Sequence, residues 1–350
     1  MRWFNLDSLN RGNWFDDLKK VIESGDSIAI YKSSDIDVSQ LELPETTPQQ
    51  TIAIFSGGTT GAPKLVFHPV SELLSAPKKP SLILGTFYSP DRMAGLQALI
   101  HGLKSGNAVF FIDPSGTDLR SEHPGVKKIT HLSATPSQMR VFDLRILLAF
   151  SELRAITLGG EPVTPKDIAG LKEVLPDLKI YQIYASSEFG QMCSVRDEKP
   201  GLPLEYFKDP SPRFNISADG ELLYRSHLKS NAQFCPTGDL VSISEGRVYF
   251  VGRKDLQVSV GGVLRSPEAI ETAIKAWPEV DDCVVKIKTS ALMGSILVAE
   301  VIANRAHEAL AVSDLHKRMM ELPPNKQAQM IKQVDRFKLN AAGKVARRYE

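Results

Sequence analysis

The sequence predicts an α/β fold, with a large N-terminal α/β domain over residues 1–254 and a small α+β domain over 255–350. Two observations carry this. From residue 51 onward, short β-rich runs alternate with helix-patterned segments, which is the layout of a largely parallel sheet. Near residue 255 the texture changes to a helix, two strands and a helix.

Residues 34–50 are polar and acidic and read as a surface connection. The expected strands then run over 51–55, 82–85, 108–112, 129–133, 155–158 and 179–184. Helix starts between them are marked by capping chemistry. Thr135 precedes Pro136 and has Gln138 three positions on, and Thr164 precedes Pro165 and has Asp167. After Thr164, Ile168, Leu171, Val174 and Leu175 recur at helical spacing and should face the sheet. Beyond residue 190 strands are expected over 221–226 and 240–252, the second as a hairpin across residues 244–246. In the C-terminal part Ser266 and Pro267 start a helix with Ile270, Ala273, Ile274 and Trp277 on one face. Strands over 283–288 and 296–302 and a helix over 312–321 complete it.

The 350 residues are 42% apolar and 24% charged, enough to bury a sizeable core. Lys plus Arg number 42 against 41 acids, so the balance gives no reason to invoke nucleic acid. Cys193, Cys235 and Cys283 are far apart, which excludes a disulfide framework or a cysteine zinc site as a sequence-level reading. The start of the chain has no secretory h-region, and no apolar run is long enough to span a membrane, so a cytoplasmic protein is expected. The scattered histidines have no metal-ligand spacing, and no serine sits in a nucleophile elbow.

Five strings carry chemistry. Ser56-Gly57-Gly58-Thr59-Thr60-Gly61-Ala62-Pro63-Lys64 follows an expected strand. Its glycines let backbone N–H groups turn inward, and Thr hydroxyls and Lys64 add donors, so the loop can cradle phosphate oxygens. It is not a Walker A loop, because Leu65 follows the lysine. Tyr184-Ala185-Ser186-Ser187-Glu188 lies at a strand end, where ligands of open α/β sheets bind. A ring, a hydroxyl and a carboxylate there suit a base, a phosphate and a magnesium ion; alone, they read more readily as an ordinary strand end. Gly159-Gly160-Glu161 ends another strand and permits close approach of a flat ligand, or forms a plain turn. Thr237-Gly238-Asp239 precedes Gly252-Arg253-Lys254-Asp255, and a carboxylate such as Asp239 can accept both hydroxyls of a ribose. Near the C-terminus, Asn340-Ala341-Ala342-Gly343-Lys344-Val345-Ala346-Arg347 reads alone as a basic tail.

In their order along the chain, the strings resemble those of the adenylate-forming (ANL) superfamily: acyl- and aryl-CoA ligases, adenylation domains of nonribosomal peptide synthetases and luciferases. The glycine-rich string is similar to the superfamily's Thr-Ser-Gly-Thr-Thr-Gly-x-Pro-Lys, with Ser56 for the first Thr and Gly57 for the Ser. The resemblance implies an ANL-type fold and an enzyme that uses ATP and Mg²⁺ to activate a carboxylic acid, then acylates coenzyme A or phosphopantetheine. It places Ser56, Gly57, Gly58, Thr59, Thr60, Gly61, Lys64, Gly159, Gly160, Glu161, Tyr184, Ser187, Asp239 and Arg253 on the nucleotide. It also makes Glu188 the magnesium ligand, Lys344 the catalytic lysine on the α-phosphate and Asp255 the hinge. Ala185, where the superfamily has Gly, crowds the floor of the acyl pocket, which Ser186 also lines. Gly261 and Gly262 leave room for pantetheine, and Ser259 replaces a frequent Lys. Residues 87–99 resemble the acid-gate region, with Arg92 in place of His; it reads either as a partner for a polar substrate group or as an exposed helix-end arginine.

Only 55 residues precede the glycine-rich loop, fewer than is usual in the superfamily. The resemblance therefore also admits a homodimer or hetero-partner, and an acyl carrier protein. Two further readings stay open: an enzyme of a biosynthetic, polyketide-type cluster that handles a carrier-bound acyl group with reduced adenylation, and a non-catalytic binding subunit.

Overall fold

A computed structural model describes residues 1–9, 13–39, 41–55, 64–74, 82–113, 126–186, 189–208, 212–225, 233–290, 294–304 and 312–337. The chain divides into two compact units, which part between Pro200 and Gly201. The boundary read from the sequence, at 254/255, falls instead inside the second unit, between its five-stranded sheet and its C-terminal part.

The first unit holds two sheets. Strands β1 (Arg2–Asn5), β2 (Ile28–Tyr31) and β3 (Thr51–Phe55) run parallel, and β4 (Leu65–Pro69) closes that sheet antiparallel to β3. The second sheet comprises β5 (Leu84–Thr86), β6 (Val109–Phe111), β7 (His131–Ala134), β8 (Ala155–Gly159), β9 (Lys179–Ser186) and β10 (Gly190–Val195), in the order β10-β9-β8-β7-β5-β6. All its pairs are parallel except β10 with β9. Five of the expected strands form this sheet within a few residues of their predicted places, whereas the expected strand over 51–55 is β3 of the first sheet.

Helices α1 (Trp14–Glu23), α2 (Val70–Leu73) and α3 (Met93–Ser105) serve the first sheet. Met93, Leu96, Leu99 and Ile100 of α3 share a buried cluster with Ile28, Ile30, Ile52 and Ile54. The opposite side of α3 approaches the second sheet: a Cβ on Gly102 would meet Val109 Cγ2 at 2.4 Å. Helices α4 (Pro136–Val141) and α5 (Pro165–Val174) cover the second sheet, and both begin with the predicted capping boxes, at Thr135–Gln138 and Thr164–Asp167. Leu171 is buried in that core, and Ile168 and Leu175 pack against it.

The second unit contains β11 (Leu202–Pro203), β12 (Phe214–Ile216), β13 (Glu221–Tyr224), β14 (Cys235–Ser244) and β15 (Arg247–Arg253), all antiparallel, in the order β11-β15-β14-β13-β12. The predicted 244–246 hairpin joins β14 to β15. A short ribbon follows, β16 (Val258–Val260) with β17 (Val263–Arg265), and then α6 (Pro267–Lys275), capped by Ser266 as predicted. Strands β18 (Val280–Ser290), β19 (Gly294–Ala303) and β20 (Met330–Gln333) form the last sheet, on which α6 and α7 (Val312–Met320) bury Ile270, Ile274, Leu315 and Met319; Trp277, expected on the face of α6, joins the same core from just past its end. Cys193 and Cys283 are buried, Cys235 is exposed, and none of the three is in a disulfide. No helix among the described residues is long and apolar enough to cross a membrane.

Candidate active site

Much of the predicted chemistry lies outside the described residues: Ser56 to Pro63, Ser187, Glu188 and Lys344. Lys64 is described; it is exposed and immediately precedes β4. The remaining predicted residues fall into two groups, one in each unit.

In the first unit they gather where the parallel strands end. Gly159 is the last residue of β8, and its carbonyl accepts the Tyr88 hydroxyl at 2.8 Å. Tyr88 is buried; burial first, then the nearby Glu161 carboxylate, push its phenol well above the usual tyrosine range, so it stays a donor. One oxygen of Glu161 accepts the Ser137 N–H at 2.9 Å, at the start of α4. Gln138 completes its capping box there and also donates to the Phe87 carbonyl at 3.3 Å. The start of α4 therefore ties the loop after β5 to the turn after β8. Sequence reasoning missed Tyr88 and this linkage, because the bond from Tyr88 spans 71 positions.

Tyr184, Ala185 and Ser186 end β9, all half-buried, and Ser186 Oγ accepts the Phe189 N–H at 3.1 Å. Arg92 is not the exposed helix-end arginine of one expectation: it is half-buried, and its guanidinium lies 3.1 Å from Asp35 Oδ2 and 3.3 Å from Asp91 Oδ2. Asp91 is 2% exposed, so this arginine neutralises a buried acid. Asp35 belongs to the segment expected to be a surface connection.

In the second unit, Asp239 on β14 and Arg253 on β15 are direct cross-strand partners. Arg253 Nη1 is 3.1 Å from Asp239 Oδ1, while its Nε and Nη2 reach Asp255 at 2.9 and 3.3 Å. The two predicted ribose residues and the predicted hinge residue therefore form one charged chain. Thr237 fixes the turn that precedes Asp239, since its hydroxyl donates to the Leu222 carbonyl at 2.8 Å and accepts the Asp239 N–H at 3.2 Å. Lys254 lies between Asp219 and Glu221, at 2.6 and 2.9 Å. The Lys254 ammonium, helped by the Ser217 hydroxyl, holds the Asp219 carboxyl down to about 2.

Gly261 and Gly262 have φ of +59° and +79° and form the two-residue turn between paired Val260 and Val263. That turn needs positive φ at both positions, so the hairpin itself is a reason for both glycines. Ser259 is exposed on β16. Among the described residues no group of three or more His, Cys, Asp or Glu could hold a metal ion, and the expected ligand Glu188 lies outside them.

A family model described as AMP-binding enzyme matches residues 15–208, more than half of the chain. Tyrocidine synthase 3 of Brevibacillus parabrevis is 26% identical over 90% of this chain, which spans 6% of that protein. Peramine synthetase A of Epichloe festucae is 27% identical over 73% of the chain, which spans 11% of it. The 2-succinylbenzoate–CoA ligase of Lactococcus lactis is 25% identical over 94% of this chain and 77% of its own length. Among solved structures, ATP-bound MatB from Rhodopseudomonas palustris superposes with TM-score 0.62 at 20% identity, over 86% of this chain and 68% of that one. The amide bond synthetase McbA from Marinactinospora thermotolerans does so with TM-score 0.62 at 17% identity, over 99% and 78%.

Proposed function

Because the chain belongs to the AMP-binding enzyme family of the adenylate-forming superfamily, we propose that it activates a carboxylic acid with ATP and passes the acyl group to a thiol. In the first step a carboxylate oxygen attacks the α-phosphorus of ATP. The bond from that phosphorus to the bridging oxygen breaks, and acyl-adenylate and pyrophosphate form. In the second step a thiolate sulfur attacks the acyl carbon, and AMP leaves with the C–O bond electrons.

Asp239 accepts the ribose hydroxyls in this reading, and Arg253 holds its carboxylate in place. The backbone of Gly159 and Gly160 borders the adenine, fixed from behind by Tyr88. Lys344 places its charge on the α-phosphate as negative charge builds there. Magnesium on Glu188, when bound, neutralises phosphate charge. The acceptor is coenzyme A or the phosphopantetheine of a carrier protein; one relative of this chain is a 2-succinylbenzoate–CoA ligase.

The observation that carries the reading is the joining of Asp239, Arg253 and Asp255 in one charged chain. A panel of carboxylic acids, each with ATP, Mg²⁺ and hydroxylamine, tests it. At least one acid should yield its hydroxamate with stoichiometric AMP. Hydroxamate from no acid, alongside a folded protein, contradicts it.

A further inference from the structure

We propose that Lys254 is a positioning residue for the nucleotide-binding turn, acting through the buried carboxylate of Glu221. The inference rests on the nucleotide reading of Asp239 given above. Glu221 is 8% exposed and lies on β13 opposite Leu240, beside Asp239 on the neighbouring strand. Its two oxygens do different work. Oε1 accepts the Gly238 N–H at 3.0 Å, in the peptide next to Asp239. Oε2 accepts the Lys254 ammonium at 2.9 Å, and Lys254 also reaches Asp219 Oδ2 at 2.6 Å.

One carboxylate thus holds the turn that presents Asp239 and the residue that precedes Asp255. Arg253 and Lys254 divide the acids between them, Arg253 taking Asp239 and Asp255, and Lys254 taking Asp219 and Glu221. Without the ammonium, Glu221 would keep an unbalanced buried charge, and the Gly238 contact would loosen. Glu221 and Lys254 are 33 positions apart, and no local motif links them. The class of ligand whose grip they set is an adenosine 5′-phosphate.

The test is titration of AMP into the full chain, with amide hydrogen exchange read at Gly238. In Lys254→Met the AMP dissociation constant should rise about 10-fold, as for loss of a charge-assisted contact, and Gly238 should exchange faster. Lys254→Arg should restore both, because it returns the charge to the same carboxylates; a general packing defect would not be rescued this way. Asp219→Asn, at an exposed position that spares the fold, should give a smaller change in the same direction. Unchanged AMP affinity in Lys254→Met, or failure of Lys254→Arg to restore it, overturns the inference. If wild-type protein binds no AMP, the functional reading falls separately, and Gly238 exchange decides alone: equal protection in wild type and Lys254→Met refutes the positioning role.

Discussion

Arg253 Nη1 stands 3.1 Å from Asp239 Oδ1 across the β14–β15 ladder, and the same guanidinium grips Asp255 with its other two nitrogens. A nucleotide engaging Asp239 therefore meets a carboxylate already oriented by a residue that also touches the expected pivot. Asp239→Ala should raise the KM for ATP about 10- to 100-fold, the range for losing hydrogen bonds to a charged group. Steady-state AMP release, at saturating acid, measures it. An unchanged KM removes Asp239 from the nucleotide site.

Arg92 is a counter-ion for Asp91 before any substrate arrives. Arg92→Ala leaves that buried carboxylate unpaired and should destabilise the first unit by about 3 kcal/mol. Adding Asp91→Asn to Arg92→Ala should recover much of the loss, as urea denaturation will show. Wild-type stability in Arg92→Ala, with altered acid preference alone, would return the residue to a purely substrate-facing role.

Tyr88→Phe removes the donor to the Gly159 carbonyl. The expected cost is about 1 kcal/mol, from a part-buried carbonyl left without its partner, together with a KM for ATP raised severalfold. Thermal unfolding and the ATP dependence of turnover, measured side by side, test the two effects.

Asp167 gives the pH prediction. Burial tends to raise its pKa, but hydrogen bonds and charge from Arg140, at 2.7 and 2.9 Å, together with Thr164, bring it below the usual aspartate value of 3.8. Its stabilisation is therefore complete above about pH 4, near the unfolded aspartate value, and fades as pH falls through the lower folded value. Asp167→Asn should cost about 2 kcal/mol at pH 7. That gap should close as denaturation is repeated towards pH 3; a gap that stays constant with pH refutes the assignment.

How far the sequence revealed this molecule depends on the reach of each interaction. Thr135, Thr164 and Ser266 cap helices through bonds to residues three positions on, so their signals were local and legible. Helix α1 carried such a signal too, in Trp14, Leu18 and Ile22 at helical spacing, and it went unread. Strand β9 runs two residues past its expected end because β10 pairs with it antiparallel, register that no single strand encodes. At the site, Asp239 and Arg253 were legible from their motifs, whereas Glu221, Lys254 and Tyr88 act across 17, 33 and 71 positions. Gly95 was read only as part of the acid-gate pattern. A Cβ there would stand 2.1 Å from the Ser89 carbonyl oxygen, a contact made by folding the chain back on itself.

The central claim is that this chain makes an acyl-adenylate with a nucleotide held by Asp239 and a reaction completed by Lys344. Acid-dependent exchange of labelled pyrophosphate into ATP measures it most directly, with wild type, Asp239→Ala and Lys344→Ala compared at the same folded concentration. Exchange by wild type that weakens through KM in Asp239→Ala, and falls at least about 100-fold at saturating ATP in Lys344→Ala, is the predicted result. Exchange that persists undiminished in Lys344→Ala, or is absent from wild type with every acid that binds, would contradict it.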